Sequence, residues 1–207
     1  MYDLVLTGGG GHCLSVLDTI YRINRYTDIA ITDPDIEVGT EVLNSRVVGG
    51  DSALADIFNS GCRKAFITVG SIKDTGVRRK LYSLLKETGF ELITVVDPSA
   101  VVSDSALIEE GAFVGKNAVV NAAAVIGTSA IVNTGAVIEH ECHVGEFSHI
   151  ACGSILCGNV TVGHDCLIGA GATVIEGITI GNNAVVGAGS IVLRDVKESE
   201  TVYGIVK

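Results

Sequence analysis

Between Val137 and Ile150 the chain reads VIEHECHVGEFSHI, fourteen residues that hold three histidines and three glutamates. Imidazole titrates near pH 6.5 when unperturbed, so a histidine beside a carboxylate suits proton abstraction from an amine or hydroxyl at neutral pH. His140 followed by Glu141 is such a pair, with the carboxylate stabilising the imidazolium that forms. The alternative assignment for His140 is a solvated histidine at a turn.

The sequence that must position this pair is repetitive. Starting at Val102 and stepping by six gives Val102, Ile108, Val114, Val120, Ile126, Val132, Ile138, Val144, Ile150, Leu156, Val162, Ile168, Val174, Ile180, Val186 and Val192, all sixteen aliphatic. Two residues before each lies a mostly small side chain, Val160 and Ile178 being the larger exceptions, and glycine often follows. A six-residue period fits neither a 3.6-residue helix nor a plain alternating strand. It fits a solenoid of short strands and tight turns whose aliphatic residues stack inward, coil upon coil. The pattern resembles the left-handed parallel β-helix, in which three hexapeptides make one triangular coil. Sixteen repeats then imply about five coils, roughly 25 Å tall.

Residues 1–97 carry a different signal. Strands are predicted at 2–6, 29–32, 65–69 and 92–96, and helices at 13–23, 51–59 and 77–87, with Asp51 or Ser52 as an N-cap. The alternation implies a small parallel α/β sheet. Pro98 stands where the period changes, so the expected domains are 1–97 and 98–207. Gly8–Gly11 falls between a strand and a helix, where glycines admit a ligand to the backbone and helix N–H groups can face a phosphate. Asp33 ends the second strand, where dinucleotide-binding folds place a ribose-binding acid. The full GxGxxG pattern would need glycine where Cys13 stands, so the turn is either one nucleotide-sized pocket or a tight connection only.

A net charge of −10 excludes nucleic acid and anionic membrane surfaces as partners, because both need a basic face. No apolar run approaches the ~18 residues of a membrane span, and MYDLVLTGG is no export signal, so a cytoplasmic location is expected. Cysteines 13, 62, 142, 152, 157 and 166 lack CxxC spacing and are expected to be free thiols.

A Gly-rich mini-Rossmann domain running straight into a hexapeptide β-helix that carries NTGAVIEHECHVGEFSHI resembles the bacterial sugar acyltransferases. These include sialic acid O-acetyltransferase-like proteins and the N-acetyltransferases of nucleotide-linked amino sugars. The resemblance covers nearly the whole chain. It implies acetyl-CoA as co-substrate, a nucleotide-linked sugar of the UDP-4-amino type as acceptor, or alternatively a hydroxyl such as that of sialic acid, and no metal. By the same resemblance His140 is the general base and Glu141 raises its basicity. His149 contacts the thioester region, the Gly158 amide faces the oxyanion, and the backbones of Ala170 and Ala188 line the pantetheine channel. The sugar nucleotide draws on Gly10, Gly11, His12, Asp33 and Gly70, with Asn133 near the reacting sugar; His12 is equally a loop histidine that closes the turn.

His149 lies nine residues from His140, half of an 18-residue coil, so the two should point to opposite sides of one prism. They can share a site only if three β-helices pack together, which implies a homotrimer with active sites between subunits. Transfer is then direct, since Cys142 occupies an inward repeat position and Cys152 has no evident partner. A histidine-rich β-helix also resembles the trimeric γ-type carbonic anhydrases, whose three metal ligands would here be His143, His149 and His164. Their spacing does not match and the N-terminal domain has no purpose there, so His143 and His164 are expected at coil corners on the surface. The chain departs from the acyltransferase pattern in two places. It ends VYGIVK where relatives have a YGxPAK-like segment over the adenine end of coenzyme A, leaving Arg194, Lys197 and Lys207 as the nearby cations for the 3′-phosphate. The stretch after Gly70, SIKDTGVRRK, is also longer than usual.

Overall fold

The computed structural model describes residues 1–70 and 74–207; residues 71–73, which open the SIKDTG stretch, lie outside the described residues. Contacts divide the described residues into two compact units, one of residues 1–70 with 76–95 and one of residues 74–75 with 96–207.

In the first unit, β1 (Leu4–Thr7), α1 (Gly11–Ile23), β2 (Ile29–Thr32), β3 (Glu41–Val42), β4 (Ser45–Gly49), α2 (Leu54–Asn59), β5 (Lys64–Ile67), α3 (Gly76–Thr88) and β6 (Glu91–Leu92) follow in order. They build one sheet in the order β3-β4-β2-β1-β5-β6. Val5, Ala30, Ala65 and Ile67 meet Leu54, Ile57, Leu81 and Leu85 of α2 and α3 in a single core. Helix α1 buries Cys13, Val16, Leu17 and Ile20, an i, i+3, i+4, i+7 stripe.

Three expectations are corrected here. The sheet is mixed, because β3 runs antiparallel to β4 through a two-residue connection at Leu43 and Asn44, with Leu43 at φ +52°. The helix at 51–59 is a 3-10 turn, Asp51–Ala53, leading into α2, and neither Asp51 nor Ser52 caps it through a side chain. The strand expected at 92–96 is two elements: β6 belongs to the α/β sheet, whereas β7 (Val95–Val96) opens a sheet of the solenoid.

The second unit is a left-handed parallel β-helix of two-residue strands arranged in three sheets of seven, seven and five strands. Face one runs from Val95–Val96 to Thr201–Val202, face two from Val101–Val102 to Ile205–Val206, and face three from Leu107–Ile108 to Thr179–Ile180. Strand partners are eighteen residues apart, as in Val119↔Val137↔Ile155. Fourteen of the sixteen repeat aliphatics are buried; Val102 and Ile108, in the first coil, are partly buried and pack against the same core.

The turns share one geometry that the aliphatic period did not reveal. Every sixth residue from Gly111 to Gly189 has a left-handed φ between +53° and +70°, or +73° at Gly177. Glycine, asparagine and aspartate suit this conformation, but Ala123, Ser129, Glu141 and Phe147 also adopt it, at a local cost that stacking of the neighbouring coils offsets.

The last coil is shorter than the others, with Val185 pairing Thr201 and Ile191 pairing Ile205. Arg194 closes it: its guanidinium donates to Glu200 at 2.9 and 3.2 Å, to the Asp195 carbonyl at 2.7 Å and to the Lys207 carbonyl at 3.0 Å. Arg194 is therefore a clamp on the last coil, with Glu200 as its counter-ion.

Those hydrogen bonds, chiefly from Arg194, pull the Glu200 carboxyl down to about 2, from 4.5. A depressed carboxyl contributes stability that is fully present above pH 4.5 and is lost as pH falls toward 2. Thermal melts of wild type and Glu200→Gln should therefore differ near neutrality, with the wild type higher, and converge near pH 2.

Candidate active site

His140 sits in the corner between face two and face three, directly after Val137–Ile138. Its Nδ1–H donates to the Glu141 carboxylate at 3.1 Å, which fixes the tautomer and leaves Nε2 with its lone pair. The His140 side chain is half exposed, 51%, so substrate can reach it. Glu141 itself occupies the left-handed turn position, at φ +60°. Below the ring, Glu139 Oε2 accepts from the Asn121 amide at 2.8 Å and from the His140 backbone N–H at 3.3 Å. Asn121 and Glu139 brace the His140 corner, and the sequence reading passed over them; the eighteen-residue spacing between them was the available signal.

One coil further along, Gly158 lies against the imidazole. A Cβ there would sit 2.5 Å from His140 Cε1 and 2.6 Å from Nε2, so only glycine leaves room for the ring. The first turn residue of each coil has an N–H that lies outside the strand ladder. At some corners a side chain accepts it, as Asn121 does for Ala122, Asn133 for Thr134 and Asn182 for His164, whereas others, Cys152, Glu176 and Asn182 among them, show no acceptor among the described residues. Among the described residues no acceptor pairs with this N–H at Gly158, Ala170 or Ala188. These are three donors of the kind that carbonyl oxygens of an amide-linked arm or a developing oxyanion would accept.

His149 lies on a strand of face one, the face opposite the His140 corner, and does not approach His140 within the chain. The Asn133 amide donates to His149 Nε2 at 3.2 Å, so Asn133 groups with His149 and not with His140. Ala170 and Ala188 follow on the corner between faces one and two, one and two coils beyond the level of His149. His143 is on a face-three strand, which corrects its placement at a corner; His164 is at a corner, its Nδ1–H donating to Asp165 at 2.7 Å. No group of three metal-ligating side chains forms among the described residues.

The N-terminal site residues gather at the carboxyl edge of the α/β sheet, after β1, β2 and β5. Gly8, at φ +109°, has no room for a Cβ, which would come within 2.7 Å of Val69. At Gly10 and Gly11 a Cβ would meet nothing within 4 Å, so the space above the start of α1 is open. The first turn of α1 carries no acidic residue, leaving the positive end of its dipole uncompensated for an anion. His12 and Gly70 are neighbours, 3.4 Å from His12 Cβ to the Cβ position of Gly70. The Asp33 carboxylate accepts from the Gly9 N–H at 2.7 Å and the Asp35 N–H at 2.9 Å, so it shapes the glycine turn whether or not it also meets a ribose.

A carboxylate-held histidine on a hexapeptide β-helix, seated over a glycine with an unused N–H, belongs to the hexapeptide-repeat acyltransferases as a class. The family models agree: residues 106–140 and 159–194 match the hexapeptide repeat of succinyl-transferase, and residues 3–85 match the PglD N-terminal domain. A mutant of GDP-perosamine N-acetyl transferase from Caulobacter crescentus, solved with CoA and GDP-perosamine, is 38% identical over 97% of this chain and 93% of its own, with a TM-score of 0.90. The acetyltransferase domain of PglB from Neisseria gonorrhoeae, solved with acetyl coenzyme A, is 31% identical over 97% and 95%, with a TM-score of 0.90. WeeI from Acinetobacter baumannii, 19% identical over 97% and 96% with a TM-score of 0.68, shares the fold. The chain belongs to the bacterial sugar acyltransferases that join a PglD-type N-terminal domain to a hexapeptide β-helix.

All six cysteines are free. Burial pushes the Cys13 thiol up to about 11 and raises Cys142 and Cys166 as well, whereas Cys152 is exposed. Alkylation of the native protein at pH 8 followed by peptide mass mapping should modify Cys152 first and spare Cys13, Cys142 and Cys166 until the chain unfolds.

Proposed function

We propose that the protein transfers the acetyl group of acetyl-CoA to the amino group of a nucleotide-linked amino sugar, by direct attack with His140 as general base. The carrying observation is the His140 ring lying over Gly158, whose backbone N–H is unpaired among the described residues. His140 Nε2 takes the proton of the amine as its nitrogen bonds to the thioester carbon. Glu141, holding Nδ1–H, stabilises the imidazolium, and the Gly158 N–H donates to the carbonyl oxygen as it gains charge. The C–S bond then breaks and the imidazolium returns the proton to the departing thiolate. The unpaired N–H groups of Ala170 and Ala188 fit the amide carbonyls of the pantetheine arm.

The sugar nucleotide is assigned to Gly10, Gly11, His12, Asp33 and Gly70. The open space over Gly10 and Gly11 and the α1 terminus support that placement for a diphosphate. The relative solved with GDP-perosamine favours an amine over a hydroxyl acceptor and adds GDP to UDP among the carriers to be tested.

The assembly is a homotrimer in which one subunit's His140 faces His149 and Asn133 of the next. The outward row of face two supports it: Val101, Val119, Val137, Ile155, Thr173, Ile191 and Ile205 are apolar except for one threonine, and Val101, Ile155, Ile191 and Ile205 are exposed in the single chain. Face three presents His143, Thr161 and Thr179 to solvent, as an outer wall would, with Leu107 of its first strand also exposed. Among the described residues no helix is long and apolar enough to cross a membrane, and a cytoplasmic location is part of this reading.

The test is thiol release from acetyl-CoA against UDP-, GDP- and dTDP-linked 4-amino sugars, with free and CMP-linked sialic acid alongside. Turnover is expected with an amino sugar nucleotide; turnover with sialic acids alone overturns the amine assignment. His140→Ala should lower kcat by about 10²–10⁴-fold at unchanged trimer mass, and pre-steady-state kinetics should lack a burst.

A further inference from the structure

Two residues before each inward aliphatic the side chain is small except at Val160 and Ile178, and both exceptions end turns that do not close. In most corners the last turn residue donates its N–H to the carbonyl three residues back, as Ala124 does to Asn121 at 3.2 Å, Ala136 to Asn133 at 3.1 Å and Cys142 to Glu139 at 3.4 Å. Among the described residues no such bond joins Val160 to Cys157 or Ile178 to Ile175. A branched side chain at the buried position 160 needs more room than alanine, and the turn that stays open there is the one that carries Gly158. The 163–166 turn lacks the closing bond too, and a side chain from the preceding turn spans it: Ser148 Oγ accepts from the Cys166 N–H at 2.9 Å and donates to the Gly163 carbonyl at 2.7 Å.

Cys142 spans the 157–160 turn in the same way. Its thiol donates to the Cys157 carbonyl at 3.1 Å, and the Val160 N–H donates to its sulfur. Cys142 is wholly buried, and burial raises the thiol, so the proton stays on sulfur for donation. The carbonyl it holds and the Gly158 N–H belong to one peptide group, and in a trans amide the two point in opposite directions. A carbonyl drawn toward the buried sulfur therefore turns the Gly158 N–H outward, where the His140 imidazole lies over Gly158. A hydrogen bond to the carbonyl also polarises the N–H of the same peptide and strengthens it as a donor. Cys142 ends the turn that carries His140 and Glu141, and the His140 carbonyl accepts from the Asn159 N–H at 2.9 Å. One residue thus ties the turn of the proposed base to the turn of the proposed oxyanion donor.

We propose that Cys142 is a positioning residue for acyl transfer, a buried thiol that fixes the Cys157–Gly158 peptide so that its N–H meets the thioester carbonyl oxygen as charge develops there. Val160 is its counterpart, opening the turn that the thiol spans. Cys142 is neither nucleophile nor ligand in this role. The proposal rests on the assignment of the Gly158 N–H as the oxyanion donor.

The experiment compares thiol release from acetyl-CoA in wild type, Cys142→Ala, Cys142→Val, Cys142→Ser and Cys166→Ala. Cys166→Ala is the control: its thiol makes the same kind of contact, donating to the Gly181 carbonyl at 3.0 Å, in a turn that carries no residue of the proposed site. Losing an oxyanion donor outright costs about 10²–10³-fold in kcat, so a donor left in place but free to turn should cost about tenfold in Cys142→Ala. KM for both substrates should stay within about twofold, because the contact strengthens only as charge develops. Cys142→Val fills the space without donating and should match Cys142→Ala, which keeps the test alive if the alanine variant folds poorly. Cys142→Ser should recover most of the loss, its hydroxyl spanning the turn as that of Ser148 does, and Cys166→Ala should keep the wild-type kcat whatever it costs in Tm. An unchanged kcat in Cys142→Val, or a fall of equal size in Cys142→Ser or Cys166→Ala, in a protein whose wild type turns over, overturns the Cys142 assignment alone. A wild type that releases no thiol with any acceptor overturns the proposed function and this inference with it.

Discussion

Everything chemical in this protein depends on the register of the coils. An inward aliphatic residue and a left-handed turn residue recur every six positions, so residues eighteen apart stack at one strand spacing. That register puts the His140 ring on Gly158, the Asn121 amide on Glu139, and the turn amides of Ala170 and Ala188 in one line. A slip of one residue would turn every aliphatic outward and scatter these groups. The proposed catalytic pair, His140 and Glu141, is thus held in place by the packing of the aliphatic coils.

The same geometry explains how an acidic chain can be suited to anionic ligands. Cations near the C-terminal coil are few, and Arg194 is tied to Glu200. The groups with room for a ligand in the proposed sites are backbone N–H donors at the start of α1 and at the coil corners, together with exposed apolar surface on face two. Main-chain donors carry no side chain to mutate away, so the binding features depend on glycines that keep space open, as at Gly10, Gly11 and Gly158.

The solenoid was legible because its period is dictated by stacking alone, and sixteen repeats leave no other fold. The His140–Glu141 pair was legible because adjacent charged residues are out of place in such a repeat. The hairpin of β3 and β4 was missed, since its strands are short and its turn, Leu43–Asn44, carries no glycine. The left-handed turn column was hidden by its mixed chemistry: Ala123, Glu141 and Phe147 are poor advertisements for a positive φ. The break within 92–96 was invisible as well, because Leu92 and Val95 are equally buried although they serve different sheets. The Arg194–Glu200 pair was hidden because it lies in the one coil that departs from the period. The proposed sharing of His140 and His149 between subunits follows from their half-coil offset, a property of the period and not of either residue.

Subunit mixing tests that sharing most directly. His140→Ala and His149→Ala chains, each impaired alone, are unfolded together, refolded and assayed. If each site takes His140 from one subunit and His149 from the next, random trimers restore intact sites at about a quarter of positions, and activity returns to about a quarter of wild type. A mixture no more active than the two variants assayed separately would contradict it.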